Sequence, residues 1–147
     1  MAQMSEMCVT ASIKASPQKW YNFLKYEGTK IAAIVPEIVK EAKLIYGQEG
    51  HVGNVKLFVY AFGAVKGSAQ LETTVLNDSA TTVGVKVIAG DILQLYPHFA
   101  FTATIKQGSI VWSIDYEKAS ALIPDPTIYA QLLVQITAAL DAWILIH

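Results

Sequence analysis

The chain has 147 residues, of which 53% are hydrophobic and only 16% charged, so disorder is excluded and one domain, residues 1–147, is expected. Its eleven basic residues are all lysines and its formal net charge is −1. Because arginine is the side chain that clamps phosphate and reads guanine, no nucleic-acid partner is expected. Cys8 is the only cysteine, which excludes an intramolecular disulfide and makes a cysteine-based metal site implausible.

The N-terminal third predicts one strand and two short helices. Polar and apolar residues alternate over 7–14, which is typical of a half-buried strand. Ser16 and Pro17 follow in the order of a helix cap and first helical residue. A second short helix is expected over 31–34, ending before Pro36. The first twenty residues contain no long apolar run, so no secretory signal is expected and a cytoplasmic location is predicted.

The central part of the chain predicts six further strands that pair in antiparallel fashion. Asn77-Asp78 and Gln107-Gly108 are candidate tight turns. Connections of hairpin length imply antiparallel neighbours, because parallel strands need crossovers of a dozen or more residues. The expected strands are 38–46, 54–62, 67–77, 80–89, 98–107 and 109–118.

Asp125 and Pro126 open a long, apolar last helix that ends near Ile146, with Asp125 as the expected capping residue. Glutamines inside this stretch favour a buried amphipathic helix over a membrane span. A seven-stranded sheet must cover one face, and this helix alone is long enough to do so. We therefore expect an α+β fold in which a curved antiparallel sheet wraps around the helix and leaves an apolar cavity of roughly 300–1,000 Å³.

Three segments resemble motifs of the plant major latex protein family, a branch of the birch-pollen-allergen superfamily. They are Val87-Ile-Ala-Gly-Asp-Ile-Leu93 with Tyr96 and Phe99, then Trp112 with Asp115-Tyr-Glu-Lys118 and Pro124-Asp-Pro126, and the loop Gly50-His-Val-Gly-Asn-Val-Lys56. The resemblance covers nearly the whole chain. It implies the START-like helix-grip fold, with two short helices after the first strand and an internal cavity for hydrophobic small molecules.

Several positions depart from that family pattern. Glu49 and Phe58 stand where the family usually has tryptophans, and Ala89 and Asp115 stand where it usually has glutamates. Ala89 in place of a glutamate removes a charge from these positions. We expect a cavity or rim adapted to a less polar ligand.

Metal, nucleotide and hydrolase sites are not expected. The glycine-rich loop leads into a strand rather than a helix, unlike a phosphate-binding loop, and the three histidines lack metal-ligand spacing. There is no nucleophile-elbow motif. No cofactor is therefore predicted. His98 remains a candidate acid or base at the cavity mouth, because imidazole titrates near neutral pH, although an exposed loop histidine is the simpler interpretation.

Lys56 and Tyr60 are the other candidate catalytic residues, since both share a strand face with phenylalanines. Lys56 either extends to the rim or directs its ammonium at a ligand. Tyr60 places a donor hydroxyl in an apolar wall, where it suits a carbonyl or enol oxygen. Most of the residues on these strand faces have an ordinary core role as the alternative. The expected ligand contacts are Tyr46, Phe58, Val85, Phe101, Trp112, Tyr116, Leu132 and Ile136.

Two classes of function remain open. One is a cofactor-independent enzyme of plant specialised metabolism that steers isomerisation or cyclisation of an enol-like intermediate of terpenoid or alkaloid type, a reading that the family resemblance allows. The other is a carrier or buffer of a hydrophobic ligand such as a sterol, terpenoid, alkaloid or hormone, with a role in defence. We favour the enzyme narrowly. A ribonuclease is disfavoured by the absence of arginine and by the net charge, and a homodimer is left open.

Overall fold

The computed structural model describes residues 4–147, which form one seven-stranded sheet and three α-helices. The strands are β1 (Ser5–Ser12), β2 (Val39–Tyr46), β3 (Val55–Phe62), β4 (Val65–Asn77), β5 (Thr82–Gly90), β6 (His98–Lys106) and β7 (Ser109–Glu117). The helices are α1 (Pro17–Tyr26), α2 (Ile31–Ile34) and α3 (Thr127–Ile146). Short 3-10 turns occupy Gly28–Lys30 and Asp91–Gln94.

All neighbouring strands are antiparallel, and the spatial order is β1-β7-β6-β5-β4-β3-β2. The curved sheet, the long C-terminal helix and the two short helices after β1 confirm the predicted α+β helix-grip fold. Each of the seven predicted strands is present, within about two residues at each end. The alternation of side chains therefore places one face of every strand toward the helix.

Helix α3 lies against the inner face of the sheet and buries eight of its twenty residues. On length and composition alone it would qualify as a membrane span. Its buried Asp141 accepts hydrogen bonds from the backbone N–H groups of Lys14 and Ala15 at 2.7 and 3.0 Å and from the indole of Trp20 at 2.9 Å. These bonds fix the helix to the end of β1 and the start of α1.

The helix caps divide into one correct and one wrong prediction. Ser16 caps α1 as expected, because its hydroxyl accepts a hydrogen bond from the backbone N–H of Lys19. Asp125 does not cap α3, whose N-terminus makes no side-chain capping bond. Its carboxylate instead accepts a hydrogen bond from the Tyr116 hydroxyl at 2.9 Å and pairs with Lys118 at 2.8 Å, so it ties β7 to the segment that precedes the helix.

Candidate ligand cavity

An apolar cavity of about 180 Å³ lies between the inner face of the sheet and α3. The volume is below the range expected from the sequence, and it is close to that of an engineered cavity of about 150 Å³ that binds benzene. Large side chains from both layers explain the smaller space. Six residues expected to contact a ligand do line its wall, namely Phe58, Val85, Phe101, Trp112, Leu132 and Ile136.

Three of the expected site residues lie outside the lining of this cavity, namely Tyr46, His98 and Tyr116. Tyr46 is 70% exposed, because irregularities in the pairing of β2 with β3 interrupt the alternation before it. His98 lies on the outer face of β6, since its neighbours Phe99 and Phe101 line the cavity and alternate side chains point in opposite directions. Tyr116 is buried, but its ring packs against Tyr96 outside the cavity lining.

Lys56 lines one end of the cavity and is only 7% exposed. Its ammonium neither extends to solvent nor stands free for a ligand. It forms an ion pair with Glu49, with Nζ at 3.0 Å from Oε1, although the angles are not those of a hydrogen bond. Gly28 faces the ammonium, and a Cβ placed there would lie 3.7 Å from Nζ. The partner of Lys56 escaped the sequence analysis, because Glu49 lies in a loop whose path no periodicity describes.

A buried hydrogen-bond network holds the loop that carries Glu49. The amide of Asn54 donates to the carbonyl oxygen of Gln48 at 2.9 Å, and the hydroxyl of Thr73 donates to the amide oxygen of Asn54 at 2.7 Å. Gly50, at a φ of +83°, packs so closely on the ring of Tyr26 that a Cβ there would come within 2.5 Å of it. The loop is thereby fixed over the Lys56 end of the cavity.

Tyr60 and Tyr129 form the second polar feature of the wall. Both line the cavity, with ring centroids 6.3 Å apart in an edge-to-face arrangement. Burial raises the pKa of Tyr60, the neighbouring Tyr129 hydroxyl offsets part of the rise, and nearby Asp91 adds to it. Burial and the neighbouring Tyr60 hydroxyl hold the pKa of Tyr129 far above its usual range. Both phenols are therefore protonated at neutral pH and act as donors rather than bases.

The sequence analysis assigned Tyr129 no role. A hydroxyl on the inner face of a helix that covers a cavity was the available signal, because buried phenols need a partner. Tyr60 was named from its strand face, and the structure places it in the wall. Among residues 4–147, no group of three or more histidine, cysteine, aspartate or glutamate side chains is arranged to hold a metal ion.

A family model described as the pathogenesis-related protein Bet v 1 family matches residues 2–147. The chain belongs to the Bet v 1 family. Its curated relatives include major latex proteins and MLP-like proteins of plants. It is 28% identical over 145 residues to major latex protein 146 of Papaver somniferum, a match that covers 95% of this chain and 90% of the relative. It is 25% identical to MLP-like protein 43 of Arabidopsis thaliana, covering 90% and 88%.

Solved structures of this family share the fold. The major latex-like protein 151 of Panax ginseng superimposes with a TM-score of 0.92 at 23% identity, over 97% of this chain and 98% of the ginseng protein. Norcoclaurine synthase of Thalictrum flavum superimposes with a TM-score of 0.79 at 17% identity, over 99% and 89%. At such identities the likeness establishes the helix-grip fold alone and does not assign a ligand or a reaction.

Proposed function

We propose that this protein of the Bet v 1 family is a cofactor-independent enzyme of plant specialised metabolism. It binds an apolar molecule of terpenoid or alkaloid type in the cavity and steers isomerisation or cyclisation of an enol-like intermediate. The observation that carries the proposal is the pair of protonated tyrosines, Tyr60 and Tyr129, in a mostly apolar wall. A fixed donor that faces a water-poor space is the arrangement that holds a carbonyl or enol oxygen in one orientation.

The remaining wall supplies shape rather than acid–base chemistry. Phe58, Phe101, Trp112 and Ile136 enclose the ligand, and Trp112 is held in place because its indole donates to the hydroxyl of Thr137 at 2.9 Å. A rigid apolar enclosure restricts the conformations of a reactive chain and excludes water that would quench it. In this proposal the rate arises from positioning, with Tyr60 as the catalytic donor. A synthase with the same fold, that of Thalictrum flavum, supports the compatibility of this architecture with catalysis.

A non-catalytic carrier is the second candidate. It is favoured by the ion pair between Lys56 and Glu49, because this contact occupies the one charged group in the described lining. With His98 on the outer face of the sheet, neither residue is positioned as a free acid or base. A carrier needs only the cavity and the tyrosine donors.

The test is to incubate the protein with a panel of terpenoid aldehydes, terpenoid alcohols and alkaloid precursors. Native mass spectrometry identifies which molecules are retained, and chiral gas chromatography of the released material identifies any change of structure. An enzyme changes the product ratio relative to buffer, and Tyr60→Phe abolishes that change. Recovery of every retained molecule unaltered, at all times sampled, would establish the carrier and refute the enzyme.

A further inference from the structure

The charge of the cavity wall sets which ligands can enter it. Among the residues that the structure shows lining the cavity, Lys56 alone carries a formal charge. Its ammonium lies 3.0 Å from a carboxylate oxygen of Glu49, which stands behind it and outside the lining. The two charges offset each other, so the Lys56 end of the cavity is neutral as a whole.

The buried carboxylate of Glu49 is stabilised by its ion pair with Lys56. Both of its carboxylate oxygens are shielded from solvent, and within residues 4–147 neither accepts a hydrogen bond. The loop that carries it is held by Asn54 and by the close contact of Gly50 with Tyr26. If a ligand carboxylate took the ammonium of Lys56, the Glu49 carboxylate would be left buried and unpaired, which is strongly unfavourable.

The other polar groups of the wall offer no positive charge. Tyr60 and Tyr129 present neutral hydroxyls, and the wall also contains the hydroxyl of Thr73. The carboxylate of Asp91 lies close enough to both tyrosines to raise their pKa values. A ligand anion at the tyrosine end would meet that same negative charge, whereas a neutral oxygen would accept a hydrogen bond without repulsion.

We propose that Glu49 is a specificity-determining residue that masks Lys56, so that the cavity accepts uncharged carbonyl or hydroxyl compounds and rejects carboxylates. The inference deepens the proposed function, on which it rests for the existence of a ligand. It divides the candidate ligands by chemistry, since ketones, aldehydes, enols and alcohols remain and carboxylic-acid hormones and fatty acids are excluded. Specificity of this kind arises from a penalty against the wrong ligand as much as from attraction to the right one.

Acetophenone and benzoate form a matched pair of probes, because they have nearly the same shape and differ in charge. Each is titrated at pH 7 into the full chain, and dissociation constants are obtained from amide shifts in two-dimensional NMR spectra. We expect acetophenone to bind at least about tenfold more tightly than benzoate. Shifts at cavity residues such as Phe101 and Ile136 locate the probe.

The decisive variant is Glu49→Gln, which keeps the shape of the side chain and removes its charge. Lys56 is then unmasked, so benzoate affinity should rise by about tenfold or more while acetophenone affinity changes by less than about threefold. The matched control is Glu41→Gln, which makes the same substitution in an exposed ion pair with Lys43 on β2. This control should leave both affinities at the wild-type value.

The double variant Glu49→Gln/Lys56→Met removes both charges and keeps the test available if Glu49→Gln fails to fold. It should bind acetophenone and still reject benzoate. Wild-type protein that binds benzoate as tightly as acetophenone, with that binding lost in the double variant, would overturn the inference alone. Wild-type protein that binds neither probe would overturn the proposed function together with the inference, whereas absence of turnover with intact selectivity would affect only the enzymatic part of the proposed function.

Discussion

At the scale of single residues, the alternation of side chains along a strand explains which of the predicted residues line the cavity and which do not. Phe99 and Phe101 lie on one face of β6 and line the cavity, and the alternation of side chains alone places His98 on the opposite face. Phe58 and Tyr60 follow the same rule on β3 and do line the cavity. This alternation does not predict, however, which side chains meet when they belong to elements that are distant in the chain. The pairing of Lys56 with Glu49 and of Tyr60 with Tyr129 depends on a loop and a helix that no local pattern positions.

Tyr60→Phe is the residue-scale test of catalysis. The substitution keeps the ring and removes the donor, so a hydrogen bond to the oxygen of the transition state is lost while the wall keeps its shape. Loss of one such donor lowers kcat on the order of 10²–10³-fold. Single-turnover kinetics with the substrate identified by the panel measure the effect, and thermal unfolding verifies the fold. Unchanged kcat and product ratio would mean that Tyr60 is only part of the wall.

Tyr129→Phe separates the two tyrosines. Its hydroxyl interacts with that of Tyr60 rather than standing alone, so we expect a smaller loss of kcat than for Tyr60→Phe, together with a changed product ratio as the Tyr60 hydroxyl loses its fixed direction. The ratio is measured by chiral gas chromatography. A loss equal to that of Tyr60→Phe, and the same loss in the double variant, would indicate that the pair acts as one unit.

At the scale of elements, helix α3 owes its position to Asp141 as well as to apolar burial. Of the three donors that meet this carboxylate, two come from the segment that joins β1 to α1 and one comes from α1. The sequence analysis assigned Asp141 no role. Its partners lie more than 120 residues away in the chain, which is why helical periodicity indicated the helix but not its anchor.

Asp141→Ala leaves buried N–H donors of Ala15 and Trp20 without an acceptor. We expect the free energy of unfolding to fall by about 3 kcal/mol or more, because each such donor costs about 1–3 kcal/mol. Asp141→Asn keeps one acceptor and should lose less. Guanidinium unfolding measures the stability of both variants, provided that the m-value is unchanged. The control is Glu37→Gln at an exposed site, whose free energy of unfolding should stay within about 0.5 kcal/mol of the wild-type value. A wild-type midpoint for Asp141→Ala would contradict the anchoring role.

Ile136→Trp tests whether the space between α3 and the sheet is the binding site. Ile136 lines the cavity, so the added volume enters a void rather than a packed core, and we expect a stability change below about 1.5 kcal/mol. Acetophenone binding should be abolished. Gln131→Trp places the same side chain on the exposed face of the helix and should bind acetophenone like the wild-type chain. Retained binding by a folded Ile136→Trp variant would show that acetophenone binds outside this cavity.

At the scale of the whole molecule, buried tyrosines connect the cavity with the stability of the fold. Tyr96 contacts Phe99, Tyr116 and Tyr129, and its hydroxyl donates to the carbonyl oxygen of Pro124 at 2.6 Å. The cluster joins the connection that leads into β6, the strands β6 and β7, and the start of α3. The excess of apolar residues in the composition predicted a large core and a cavity. It did not predict that tyrosine side chains would connect the core with the cavity wall.

Alkaline pH should therefore weaken the whole fold. Burial is the first cause that raises the pKa of Tyr21, to about 12, and the pKa values of Tyr60, Tyr96, Tyr116 and Tyr129 are raised as well. In the unfolded chain these phenols ionise near pH 10. Above that pH the unfolded state releases protons that the folded state retains, so the stabilisation present below pH 10 is lost progressively as pH rises toward the folded-state values.

Guanidinium unfolding measured at intervals from pH 8 to about pH 11.5 tests this linkage, with tyrosinate absorbance recorded on the folded protein. The free energy of unfolding should decline above about pH 10, while the folded protein shows little ionisation of the buried phenols until it unfolds. Tyr21→Phe is the matched variant. It lowers stability at neutral pH because the bond from Tyr21 to Asp78 is lost, yet its decline with pH should be shallower, since one of the groups that link protons to folding is gone. A decline as steep as that of the wild-type chain would show that Tyr21 does not contribute to the linkage.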